Sequence, residues 1–214
     1  MVISDARPRA IYIGTGVNFT DPATKTSDAV LALDPDQQSK VVWETRIGHG
    51  GPQGGVLWGA ARDDRLAYFL SDWDPTKPES GGGVFALEIA TSNKAWSTPA
   101  PKPACLGVAG CSAAQPGAPT VITGVVFAGS LDGHLRAYDS KSGGIIWDVD
   151  TLHDFETVNS IKARGGSMNG TGPTIAGRIP TPIPATLGFP PSPVMCFWLS
   201  QWPENKYKRI LIRM

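Results

Sequence analysis

Cysteine, histidine and net charge are all scarce in this 214-residue chain. There are three cysteines and three histidines, and 19 lysines and arginines balance 19 aspartates and glutamates. That balance gives no basic footprint for nucleic acid. No run approaches the roughly 18 apolar residues of a membrane helix, so no membrane span is expected. The opening Met1-Val2-Ile3-Ser4-Asp5-Ala6-Arg7 has no apolar stretch of the kind a secretory leader carries. Ala10-Ile11-Tyr12-Ile13 reads as a strand almost at once, so the chain is expected to begin inside a fold. No segment sustains a 3.6-residue apolar period, which leaves little room for helix. Two cysteines are too few for a metal centre without histidine or acidic neighbours, and the loop around Cys105 and Cys111 has none. A disulfide between them is expected, with free thiols as the alternative, and it implies an oxidising compartment. No role is read for Cys196.

Against these absences stands an internal repeat. Ala32-Leu33-Asp34, Ala86-Leu87-Glu88 and Ala137-Tyr138-Asp139 each lead through a polar turn into a β-rich run ending in Trp43, Trp96 and Trp147. The acid-to-tryptophan spacings are nine, eight and eight residues, and the tryptophans are 53 and 51 residues apart. A period of that length houses one four-stranded sheet, the blade of a β-propeller. Val125–Gly129 is a strand of the kind buried on both faces, followed by a Leu131-Asp132-Gly133 turn and the alternating Leu135-Arg136-Ala137-Tyr138. Within each repeat the alanine admits a close neighbour, the acid accepts bonds from the turn, and the tryptophan docks on the next blade. The fold class predicted is all-β: a partial propeller of about three four-stranded blades over 1–177, with a disordered tail over 178–214.

Gly133-His134-Leu135-Arg136-Ala137-Tyr138-Asp139 with Trp147 resembles the tryptophan-docking repeat of pyrroloquinoline-quinone (PQQ) dependent alcohol dehydrogenases. Gly14-Thr15-Gly16 with Asp21-Pro22-Ala23-Thr24, Gly54-Gly55-Val56-Leu57-Trp58-Gly59, and Gly165-Gly166-Ser167-Met168-Asn169-Gly170 resemble the polyvinyl alcohol dehydrogenase (cytochrome) branch. The resemblance covers roughly residues 10–177. It implies a periplasmic eight-bladed propeller holding PQQ and Ca²⁺, an alcohol substrate, and a cytochrome c-type electron acceptor.

Carried over residue by residue, the resemblance points to Gly54, Gly55, Trp58 and Asn169 as cofactor-binding. Gly54 and Gly55 would let backbone approach the cofactor closely. Trp58 either lines the pocket or is buried between blades. Asn169 either faces the propeller axis or serves its own turn. Val17 stands where the family places a metal-binding Asn, so Asn18 is the candidate metal ligand, with loop duty as the alternative. No catalytic residue is identified. The blade that should carry the family's aspartate base before the Gly54-Gly55 segment is missing, which implies an internal deletion. Asp72, beside Trp73, reads better as a turn acid, and His49, His134 and His153 are expected in loops without Ser or Asp partners. A non-catalytic propeller scaffold for protein–protein contact is the alternative function, and self-association through open blade edges is expected.

Residues 178–214 break the pattern, with seven prolines and a single glycine. Val194–Trp202 can be encoded so that the neighbouring frame reads Gly-Asn-Val-Leu-Leu-Ala-Phe-Ser-Val, a strand of the family's next blade. We read this tail as a frame-shifted translation, which the gene's nucleotide sequence tests.

Overall fold

The computed structural model describes residues 2–4, 10–16, 24–48, 54–71, 82–105, 107–108, 111–156, 162–176, 179–181, 199–200 and 211–212. Twelve strands form three four-stranded antiparallel sheets in chain order, one per repeat. The first blade is β1 (Val2–Ser4), β2 (Ala10–Gly14), β3 (Ala29–Asp34) and β4 (Lys40–Arg46). The second is β5 (Ala60–Arg62), β6 (Leu66–Ser71), β7 (Gly83–Glu88) and β8 (Lys94–Pro99). The third is β9 (Thr120–Ile122), β10 (Val125–Gly129), β11 (His134–Asp139) and β12 (Ile145–Asp150). A single 3₁₀ turn, Pro35–Gln37, is the helical element among the described residues. The all-β partial propeller read from the repeat is what the chain forms.

Both faces of the middle blade are buried, so its strands alternate between two cores. Ala67 and Phe69 on β6 and Leu87 on β7 join Tyr12, Val30 and Ala32 of the first blade in one cluster. Tyr68 and Leu70, with Val84 and Ala86, turn the other way and meet Val126, Ala128 and Tyr138 of the third blade. The outer face of the third blade carries Val125, Phe127 and Ala137, with Ile146, Trp147 and Ile175 packed against them.

Two of the three docking tryptophans, Trp43 and Trp96, behave as the repeat predicts. Trp43 donates its indole N–H to the Ile89 carbonyl at 3.3 Å, and Trp96 donates to Ser140 at 2.9 Å. Each acceptor is the residue just after the acid of the following blade. Thr45 and Thr98, two residues past each tryptophan, add hydroxyl bonds to the Ser92 and Gly143 carbonyls. The acids cap their turns: Asp34 accepts from the Asp36 N–H, and Asp139 from those of Lys141 and Ser142. Ala32, Ala86 and Ala137 are fully buried and pair across the ladder with Trp43, Trp96 and Trp147.

Beyond the third blade, β13 (Asp154–Glu156) pairs with β14 (Lys162–Arg164), and β15 (Thr174–Ala176) with β16 (Ile179–Thr181). A third short pair is β17 (Leu199–Ser200) with β18 (Leu211–Ile212). Pro173-Thr174-Ile175 repeats the Pro119-Thr120-Val121 that opens the third blade, and the Thr120 hydroxyl donates to the Pro173 carbonyl at 2.7 Å. β15 therefore stands where the first strand of a fourth blade begins. Most of 178–214, to which the disordered-tail expectation applies, lies outside the described residues. Cys105 and Cys111 form the expected disulfide, with Cα atoms 5.6 Å apart. Among the described residues no helix is long and apolar enough to cross a membrane.

Candidate functional site

In a four-stranded meander, the second-to-third-strand loops and the blade-to-blade crossovers leave from the same end of the sheet. The Gly14–Gly16, Gly54–Gly59 and Gly165–Gly170 segments are all connections of this kind. The fold therefore brings all three glycine-rich segments to one face, although up to 156 residues separate them in sequence.

The first two segments lock together through backbone. Gly16 and Gly55 form an antiparallel bridge, and the Val56 N–H donates to the Thr15 carbonyl at 3.0 Å. Gly55 has φ +88°, and a Cβ there would lie 2.8 Å from Gly16 backbone atoms, so glycine is required on both steric counts. The close approach that Gly55 permits is thus to the Gly14-Thr15-Gly16 strand end, and Gly54 and Gly55 are both buried. Thr15 anchors the same junction, since its hydroxyl lies 3.0 Å from the Ala29 amide. Beneath it, the carbonyl of buried Asp28 takes the Ile47 and Gly48 N–H groups, and its carboxylate meets Arg46 at 3.4 Å.

From this rigid junction Leu57 and Trp58 project outward, 45% and 52% exposed. Trp58 is not buried between blades. Its indole N–H donates to the Asn169 side-chain oxygen at 3.0 Å, across 111 residues of sequence. Asn169 is 6% exposed and lies in a pinned loop: Met168 N–H donates to the Ser130 carbonyl at 3.0 Å, and Ala118 N–H to that of Gly170 at 2.8 Å. Of the five site residues read from sequence, the structure therefore brings Trp58 and Asn169 into contact and holds Gly54 and Gly55 in the buried backbone that leads to Trp58. Asn18 lies outside the described residues, as do Asp72, Trp73 and His49.

Sequence reading missed a second polar cluster. His134 is the first residue of β11 rather than a loop residue, and its Nδ1 lies 2.7 Å from an Asp148 carboxylate oxygen. Asp148 also takes Arg136 Nε at 3.1 Å, while Arg136 and Asp132, both fully buried, pair at 2.9 Å. Ser130 donates to Asp132 and accepts from Arg136, so its hydroxyl is committed within the ion pair. It makes no bond to the His134 ring, and no nucleophile–base pair is formed. Burial raises the Asp132 carboxyl, but hydrogen bonds from Arg136 and Ser130 and the guanidinium charge outweigh it and hold its pKa below the ordinary range. The cluster is a clamp on the β10–β11 turn. Its partners meet across a ladder in which Arg136 sits opposite Asp148, a pairing that a linear spacing does not display.

The fold and the site together define a partial β-propeller with docked tryptophans and an exposed indole, Trp58, on its loop face. No family model matches the chain. The polyvinylalcohol dehydrogenases of Pseudomonas sp and of Sphingopyxis sp. (strain 113P3) are 39% identical over 153 residues and 42% identical over 156 residues. Each match covers 71% of this chain and 24% of the relative, so the chain spans about a quarter of their length. Over that stretch the chain is homologous to the polyvinylalcohol dehydrogenases. Similar solved structures include a europium-containing methanol dehydrogenase, with TM-score 0.46 and 18% identity over 67% of this chain and 23% of that one. BamB from Moraxella catarrhalis has TM-score 0.49 and 16% identity over 78% and 45%. Quinohemoprotein alcohol dehydrogenase from Comamonas testosteroni has TM-score 0.41 and 21% identity over 61% and 19%.

Proposed function

We propose that this chain is a segment of a PQQ-dependent alcohol dehydrogenase that oxidises an alcohol, polyvinyl alcohol by analogy with its relatives' names, and passes electrons to a cytochrome. The observation that carries this reading is the exposed Trp58 indole, held at its edge by buried Asn169, in a chain 39–42% identical over 153–156 residues to proteins named polyvinylalcohol dehydrogenase. A flat aromatic quinone needs a rigid stacking face, and an indole fixed at its N–H supplies one. When bound, the quinone would supply the hydride acceptor for the alcohol carbon.

The chain's own contribution is structural. The Gly16–Gly55 bridge fixes the loop that carries Trp58, and the pinned loop around Asn169 fixes the indole's orientation. Asn18, the candidate calcium ligand, lies outside the described residues, and no calcium site is assigned. No group of three or more His, Cys, Asp or Glu that could hold a metal assembles among the described residues, so no step is routed through a metal. No general base is assigned. The Cys105–Cys111 disulfide supports an oxidising compartment such as the periplasm.

Titration of the purified chain with PQQ, with and without Ca²⁺, tests the reading through tryptophan fluorescence. Saturable quenching that is lost in Trp58→Ala is expected. A folded wild-type chain that shows no quenching would overturn the proposal and leave the propeller-scaffold function in its place.

A further inference from the structure

We infer that Asn169 has two roles at this face: its side-chain oxygen fixes the plane of the Trp58 indole, and its amide N–H₂ donates to an oxygen of the ligand lying against that ring. The second role rests on the PQQ reading above; the first does not.

The indole nitrogen is a donor only. The Asn169 atom 3.0 Å from it must therefore be the amide oxygen, which settles the orientation of the side chain without sight of hydrogens. Both amide donors are then left over. Neither donates to a described residue, and the nitrogen is not sealed from solvent. Asn169 also borders a crevice with Gly117, Leu135, Met168 and Thr171 that has room for about one water molecule. A nearly buried amide that spends its acceptor on protein and keeps both donors free is suited to an oxygen acceptor on a ligand. A carbonyl- or carboxylate-bearing aromatic such as PQQ offers that chemistry.

The backbone around Asn169 is positioned tightly enough for such a task. Two backbone bonds flank it, and Met168 fills the space over Gly129, where a Cβ would come within 2.7 Å of the Met168 Cβ. Gly170 beside it has φ +108°, a conformation that favours glycine.

Two variants separate the roles. Asn169→Asp keeps an oxygen toward the indole but removes both donors and adds negative charge; Asn169→Ala removes acceptor and donors together. Hydrogen exchange of the Trp58 indole N–H is followed by NMR, its signal assigned by disappearance in Trp58→Phe, and PQQ affinity is measured by fluorescence titration. The wild-type indole should be protected, Asn169→Asp should keep that protection, and Asn169→Ala should exchange at least tenfold faster. Both variants should bind PQQ at least tenfold more weakly. Unchanged indole exchange in Asn169→Ala would overturn the positioning role. Wild-type PQQ affinity in Asn169→Asp would overturn the donor role, and if Trp58→Ala still lost binding the PQQ reading would survive. A wild-type chain that fails to bind PQQ would remove the donor role and the PQQ reading together, with the exchange result standing alone.

Discussion

Asp132 and Arg136 show what a single buried pair costs and contributes. Neither side chain reaches solvent, and the pair is satisfied by Ser130 and Asp148 as well as by its own 2.9 Å contact. Removing one partner leaves a buried charge unpaired, which costs about 3–5 kcal/mol. Asp132→Ala should lower stability by about that amount at neutral pH, measured by urea unfolding. The folded carboxyl titrates below its unfolded value of about 3.9. Its stabilisation is therefore complete above that value and is lost as pH falls through the lower, folded pKa. The gap between wild type and Asp132→Ala should narrow in acid; a gap constant from pH 7 to 3 would contradict the assignment. At this scale the sequence was only partly legible. Asp132-Gly133 reads as a turn, but the bonds from Arg136 to Asp132 and Asp148 depend on side chains meeting on one face of the ladder.

At the scale of the element, the outer strand of each blade carries a feature the repeat did not announce. All three ladders between the third and fourth strands slip by one residue, leaving Val42, Ala95 and Ile146 unpaired directly before the tryptophans. A bulge increases local twist and re-aims the next side chain, and here that side chain is the docking indole. Trp96 is nearly buried, bonds Ser140, and packs so closely on Gly143 that a Cβ there would sit 2.5 Å from its ring. Trp147, by contrast, is half-buried and makes no indole hydrogen bond among the described residues. Trp96→Ala should therefore cost about 3–5 kcal/mol, and Trp147→Ala only about 1–2 kcal/mol. Equal losses in thermal or chemical unfolding would show that Trp147 is docked as fully as Trp96. The Ala–acid–Trp spacing was visible in sequence because all its members lie within one hairpin. The bulge was not, since pairing register is set by two strands together.

Across the whole molecule, three blades make two complete inter-blade cores, while the outer face of the third is covered among the described residues by Ile146, Trp147 and Ile175. A radial array closes only when every blade has a neighbour on each side. The purified chain should accordingly self-associate, with its mass in sedimentation velocity rising with concentration. It should also show no steady turnover in a dye-linked alcohol oxidation assay. A strictly monomeric chain that turns over would refute both expectations.

The sequence alone was enough to establish the blade, its period, its docking tryptophans and the segments that resemble a quinoprotein. Those features are written in local spacing and strand alternation, which depend on residues close together in the chain. Only the tertiary structure decided that Trp58 faces outward, that Gly55 packs on Gly16, and that Asn169 holds the indole from 111 residues away. Each of these depends on how successive blades turn about a common axis, and no stretch of sequence within one blade encodes that rotation.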